Sequence, residues 1–118
     1  MKLGPDPFTV QWLEGFVADS EVFDWDRGNQ AKNLKHGLTP EEVESVLWQP
    51  YVFAGRILEP AHSEWRGLIL GQTSQGRPVA MIFTRRGEKV RIISCRSMRP
   101  AERRLYENAT AQAGRSNS

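Results

Sequence analysis

Between Gly67 and Ser97 the chain has almost no choice of topology. Three apolar runs, Gly67–Thr73, Pro78–Arg85 and Lys89–Ser97, are separated only by Ser74–Arg77 and Arg86–Glu88. A parallel crossover needs a dozen residues or more, so connections this short, containing Gly76 and Gly87, must reverse the chain as hairpins. An antiparallel meander follows, and a weaker strand pattern at Tyr51–Ile57 can extend it.

The remaining segments read as helices that cover this sheet. Phe8, Trp12 and Phe16 recur at i, i+4, i+8 with Leu13 and Val17 beside them, which predicts an amphipathic helix within residues 1–21 despite Gly15. Such a stripe is too apolar to leave in water, so it is expected to pack on this domain or on a second copy in a homodimer. Val22–Trp25 reads as a short strand, and the polar stretch Asp26–His36 as a helix capped by Asp26 and ended by Gly37. Thr39–Trp48 is the clearest helix: Thr39 and Glu42 form a capping box, Pro40 takes the first helical position, and Val43, Val46 and Leu47 supply the buried stripe. Arg99–Ala109 closes the chain as a helix with Leu105 inward, and a frayed polar tail is expected from Ala109 to Ser118. The fold class is α+β, a small antiparallel sheet packed against N-terminal helices with a closing C-terminal helix. It divides into an N-terminal extension (1–21), a main domain (22–108) and a tail (109–118).

Several function classes drop out on composition. With 118 residues, 39% hydrophobic and 25% charged, the chain is one globular domain. No apolar run approaches the ~20 residues of a membrane span, and no apolar signal core precedes a cleavage site, so a cytoplasmic location is expected. A single cysteine, Cys95, excludes an internal disulfide framework and a cysteine-based zinc site. With only two histidines besides, no metal site or cofactor is expected. The net charge of +2 conceals an asymmetry: residues 1–64 carry five Lys/Arg against eleven Asp/Glu, and residues 65–118 carry eleven against three. A basic half on a small domain attracts polyanions, although a solvated basic face balanced by acidic helices accounts for the charge equally well.

The basic residues concentrate in Arg85–Arg104. Strict alternation along Lys89–Ser97 puts Arg96 on the face of Val90 and Ile92, at the margin of the core, with Arg91, Ile93 and Cys95 opposite. A guanidinium there needs an anion: either an internal carboxylate, Glu64 or Glu102, or the phosphate of a ligand. His36 and His62 are the side chains that ordinarily titrate near neutrality. Lys35 and His36 at a helix end also suit the helix dipole without any function. His62, Glu64 and Arg66 offer an acid/base group, a carboxylate and a guanidinium within five residues. Neighbours in sequence cannot build a His–Ser–Glu triad, and Cys95 reads as a small buried hydrophobe, not a nucleophile.

An ordered set of segments is similar to a known family. FDWD (Phe23–Asp26), GN…KNLKHG (Gly28–Gly37), TPEEVESVL (Thr39–Leu47), HSEWR (His62–Arg66), GQTSQGR (Gly71–Arg77), IFTRRG (Ile82–Gly87) and VRIISCR (Val90–Arg96) precede a closure of Glu102, Arg103 and Tyr106. Together they resemble BrnT-type toxins of bacterial type II toxin–antitoxin modules, over about seventy per cent of the chain, from Phe23 to Glu107. Cys95 stands where a small residue is usual, and the first twenty or so residues go beyond the usual start.

The resemblance implies a RelE-like fold and a metal-independent endoribonuclease. It also implies a BrnA-type ribbon-helix-helix antitoxin as partner, with operator DNA bound only through the toxin–antitoxin complex. Carried over by motif, the catalytic candidates are Lys35, His36, Glu64, Arg66, Arg85 and Arg96. Arg86, Arg91, Arg99 and Arg103 are the candidates for RNA contacts. Base and acid stay open, with His36 or Glu64 as base and Lys35 or His36 as acid. Two other readings fit the same residues: a non-catalytic nucleic-acid-binding module, and an inactive toxin-like interaction protein.

Overall fold

A sheet whose middle strands are largely buried needs a cover on each face, and this chain supplies both. The computed structural model describes residues 1–18 and 20–116. Strand β1 (Lys2–Gly4) leads into helix α1 (Pro7–Glu14), a 3-10 turn (Ser20–Val22), α2 (Arg27–Leu34), and α3 (Pro40–Ser45) with a 3-10 turn behind it (Val46–Trp48). Strands β2 (Val52–Glu59), β3 (Gly67–Gln72), β4 (Pro78–Arg86) and β5 (Lys89–Ser97) follow, and α4 (Pro100–Ser116) ends the chain. The sheet is antiparallel throughout, in the order β1-β2-β3-β4-β5.

The α+β meander expected from the glycine-bearing connections is the one found. On one face, Ile69, Val79, Met81, Phe83, Val90, Ile92 and Cys95 meet Leu13 of α1, Leu38, Val43 of α3, and Val46 and Leu47. On the other, Leu68, Leu70 and Ala80 meet Tyr106 of α4 and Leu3 of β1. Both N-caps foreseen are present: Asp26 accepts from Asn29 N at 3.1 Å, and Thr39 accepts from Glu42 N at 3.2 Å. Each satisfies a backbone donor that the first helical turn cannot satisfy itself. The reciprocal bond that completes a capping box forms at Asp26, whose N donates to Asn29 Oδ1 at 2.7 Å, and not at Thr39 as expected.

Several elements differ from the sequence reading. The extension opens with β1, whose backbone approaches β2 at Gly55; a Cβ there would lie 2.8 Å from Gly4 O, and φ is +138°. Helix α1 stops at Glu14, so Phe16 lies beyond it, stacked edge-on against Trp12 at 4.9 Å. Val22–Trp25 is not a strand but the end of a 3-10 turn followed by a single parallel bridge from Phe23 to Val90, which covers the exposed edge of β5. The residues from Ala109 to Ser116, read as a polar tail, continue α4, because no proline interrupts it; residues 117 and 118 lie outside the described part. Leu105, expected inward on α4, is 39% exposed, and Tyr106 takes the inner position.

One irregularity in β5 inverts the sequence reading of its faces. Ile82 pairs with Ser94 but Phe83 pairs with Ile92, so Ile93 is an extra residue, a β-bulge. Alternation therefore resets between Ile92 and Ser94. Cys95 joins Val90 and Ile92 in the α1–α3 core, and Arg96, paired with Ala80, stands on the α4 face.

Gly67 marks the tightest packing in the sheet. A Cβ on it would sit 2.7 Å from Trp65, 2.9 Å from Phe83 and 3.0 Å from Phe53. Phe83 is fully buried and the Trp65 indole is tied to Asp6, so neither ring can move aside freely. Gly67→Ala is expected to cost about 1–3 kcal/mol, measured as a shift in denaturant midpoint at unchanged slope.

Candidate active site

The structure sorts the sequence candidates into two ends of the sheet. At the end of β4, Arg85 and Arg86 lie beside the loop that joins β2 to β3, which carries His62, Glu64, Trp65 and Arg66. The Glu64 carboxylate bridges two guanidiniums there: Arg86 Nη2 at 3.2 Å and Arg66 Nη2 at 3.6 Å. Arg66 is three-quarters buried, and its Nε is a buried donor without a hydrogen-bond acceptor among the described residues. Such a donor is uncommon in a folded protein. Arg85 is fixed from three sides. Its Nε donates to Gly87 O at 2.9 Å, its Nη2 to Glu88 at 2.9 Å, and its guanidinium lies 4.5 Å from the centre of the Trp12 ring.

Glu64, Arg85 and Arg86 line an open cleft of about 500 Å³ whose other wall is α1, through Phe8, Thr9 and Trp12, and Arg66 stands behind Glu64. The loop is held in place by Trp65. Its ring packs edge-on against Phe83 at 5.5 Å, its Nε1 donates to Asp6 at 3.0 Å, and its carbonyl accepts from the Thr84 hydroxyl. Asp6 also caps α1 by accepting from Thr9 N at 3.2 Å. His62 is exposed and lines a smaller depression, about 170 Å³, that shares Glu64 and Trp65.

The other candidates lie elsewhere. Lys35 and His36 are exposed at the C-terminal end of α2, where Arg77 donates to the carbonyls of His36 (2.8 Å) and Gly37 (3.2 Å). Arg77 precedes Arg85 by eight residues along an extended strand, about 26 Å at a rise of ~3.3 Å per residue. One phosphate cannot touch both groups. Arg96 is on the opposite face, where its two Nη atoms bond the Glu102 carboxylate at 2.7 and 2.9 Å; of the anions the sequence left open, it has Glu102. Arg91 is half-buried and paired with Asp26 at 2.9 Å and Asp24 at 3.6 Å. The Asp26 carboxyl is held below its ordinary value by the backbone N–H of Asn29 and then by Arg91. Arg99 immediately precedes α4 and Arg103 lies in its first turn, on the face of the sheet away from the cleft. Burial pushes the Cys95 thiol up to about 12, which removes it as a nucleophile at neutral pH.

Sequence reading missed Asp6, Phe8, Thr9, Trp12 and Thr84 as cleft residues. The apolar stripe of α1 is visible in the sequence, but nothing in its spacing says that the Trp12 ring lies under an arginine. Among the described residues no cluster of three metal-ligating side chains occurs, and no helix is long and apolar enough to cross a membrane.

A family model described as the ribonuclease toxin BrnT of type II toxin–antitoxin systems matches residues 25–102, more than half of the chain. No curated protein and no solved structure matches. The matched segment holds Glu64, Arg66, Arg85 and Arg86, while the whole α1 wall of the cleft precedes it.

The Arg96–Glu102 pair makes a pH-dependent contribution to stability. Burial alone would raise the Glu102 carboxyl, but hydrogen bonds from Arg96 and the Arg99 backbone hold it below its ordinary 4.5. A depressed carboxyl stabilises the fold above its unfolded value and loses that contribution as pH falls through the folded value. Glu102→Gln should therefore melt lower than wild type at neutral pH, and the gap should close in acid. Arg96→Ala should cost about 2 kcal/mol at neutral pH, as loss of a charge-assisted pair does.

Proposed function

Because the chain belongs to the BrnT family of ribonuclease toxins of type II toxin–antitoxin systems, we propose that it is a metal-independent endoribonuclease whose working centre is the Glu64, Arg66, Arg85 and Arg86 cluster. The observation that carries this reading is the carboxylate held between two arginines beside a third, at the rim of an open cleft. Cleavage through the RNA's own 2′-hydroxyl needs three services: a base for that proton, an acid for the leaving 5′-oxygen, and positive charge for the pentacovalent phosphorus. Glu64 takes the proton of the 2′-hydroxyl, which attacks the adjacent phosphorus and expels the 5′-oxygen. His62, in the depression shared with Glu64, returns a proton to that oxygen. Arg85 and Arg86, which line the cleft, meet the phosphoryl oxygens, and Arg66 holds Glu64 in place from the buried side. The products are a 2′,3′-cyclic phosphate and a 5′-hydroxyl.

The same reading makes the fold RelE-like and the protein cytoplasmic, and gives it a ribbon-helix-helix antitoxin of the BrnA type as partner. Its support is the family match together with the antiparallel meander packed between helical layers. The assignment of base and acid favours Glu64 and His62 over Lys35 and His36, because the latter pair stands at the far end of the sheet from three of the arginines.

Purified protein incubated with RNA and EDTA should release cyclic-phosphate or 3′-phosphate ends. Activity that needs added magnesium would overturn the metal-free mechanism, and RNA binding with no cleavage would favour the non-catalytic module. Glu64→Gln should lower the single-turnover rate by about 10²-fold or more, the usual contribution of a proton-transfer group, and His36→Ala by far less. The reverse order would move the chemistry to the other end of β4.

A further inference from the structure

Phe8 is the one aromatic among the large apolar side chains exposed in the described residues, at 82%, and it lines the arginine cleft. An exposed ring on a rigid element beside guanidiniums matches what single-stranded nucleic acid requires: a flat apolar surface for a base and fixed positive charge for the adjoining phosphate. Helix α1 is not loosely attached. Leu13 is buried at 4% exposure, Pro7 occupies its first turn, and Asp6 ties its start both to Thr9 N and to the Trp65 indole. Trp12, one turn after Phe8, lies against the Arg85 guanidinium. The backbone at Phe8 is thus held at a set position relative to Arg85 and Arg86, so only the ring's own rotamer has to be ordered on binding.

We propose that Phe8 is a nucleobase platform: one base of a bound RNA strand stacks on its ring while the neighbouring phosphate bonds Arg86 and Arg85. This rests on the RNA reading above and adds to it a base-contacting residue, on a segment that precedes the family-matched region. The cleft volume, about 500 Å³, is within the range of small-ligand sites and accommodates a nucleotide. The Asp6 carboxylate, also in the cleft, is already bonded to Thr9 N and Trp65 Nε1. Stacking alone accepts any base, so this platform contributes affinity and positioning more than sequence choice.

The test measures binding of the full chain to a short, fluorescein-labelled 2′-O-methyl oligoribonucleotide of mixed sequence, which has no nucleophile and is not cut. Phe8→Ala should weaken binding about ten-fold, the loss of one stacking partner, with melting temperature unchanged and the salt dependence of binding unchanged. Phe8→Trp should restore it. Arg86→Ala should instead reduce the slope of affinity against salt, because a phosphate contact is lost. An abasic oligonucleotide should bind wild type more weakly and should not distinguish wild type from Phe8→Ala. Equal affinity of wild type and Phe8→Ala for the intact oligonucleotide would overturn the platform while leaving the RNA reading in place. Absence of oligonucleotide binding by wild type would overturn both. If Phe8→Ala binds normally but changes oligomeric state in sedimentation, the ring belongs to a contact between copies and the platform falls.

Discussion

The Trp65 indole joins three parts of the chain that sequence keeps far apart. Its ring leans on Phe83 of β4, lies over Gly67 where a Cβ would come within 2.7 Å, and donates to Asp6 ahead of α1. A large ring can pack this closely only because Gly67 has no side chain, and its polar edge is satisfied only because Asp6 reaches it. Through this one residue the core of the sheet sets the position of the loop bearing Glu64 and Arg66, and of the helix bearing Phe8 and Trp12.

The same structure divides the arginines by task. Arg91 tethers the start of α2 through Asp24 and Asp26, Arg77 holds the end of α2 through two carbonyls, and Arg96 fastens the start of α4 through Glu102. Each joins the sheet or its turns to a helix, and each has its charge or its donors answered internally. The Glu64 cluster is different. One carboxylate serves Arg66 and Arg86 together, and a buried Arg66 donor has no acceptor among the described residues. A basic half-chain is therefore not one basic surface: part of its charge is used for cohesion, and another part is gathered beside one cleft.

The local signals carried well where a backbone rule was at stake. Gly76 and Gly87 adopt φ of +79° and +61°, as tight hairpins require, and Asp26 and Thr39 cap the helices they were expected to cap. They failed where a residue's neighbour was decisive. Strict alternation assigned Arg96 to the face of Val90 and Ile92, and the extra Ile93 in β5 reversed it. The segment motifs presented Lys35, His36 and Glu64 as one set, yet they belong to opposite ends of β4.

What the sequence determined by itself is the meander, its caps and its family: properties of short connections, backbone dihedrals and ordered motifs, which act within a few residues. What only the tertiary structure decided is which charges meet. Pairing of Arg96 with Glu102, of Glu64 with Arg66 and Arg86, and of Asp6 with Trp65 depends on bulges and packing that no periodicity encodes. Side chains interact over a few ångströms, whereas one inserted residue turns every later side chain of a strand to the other face.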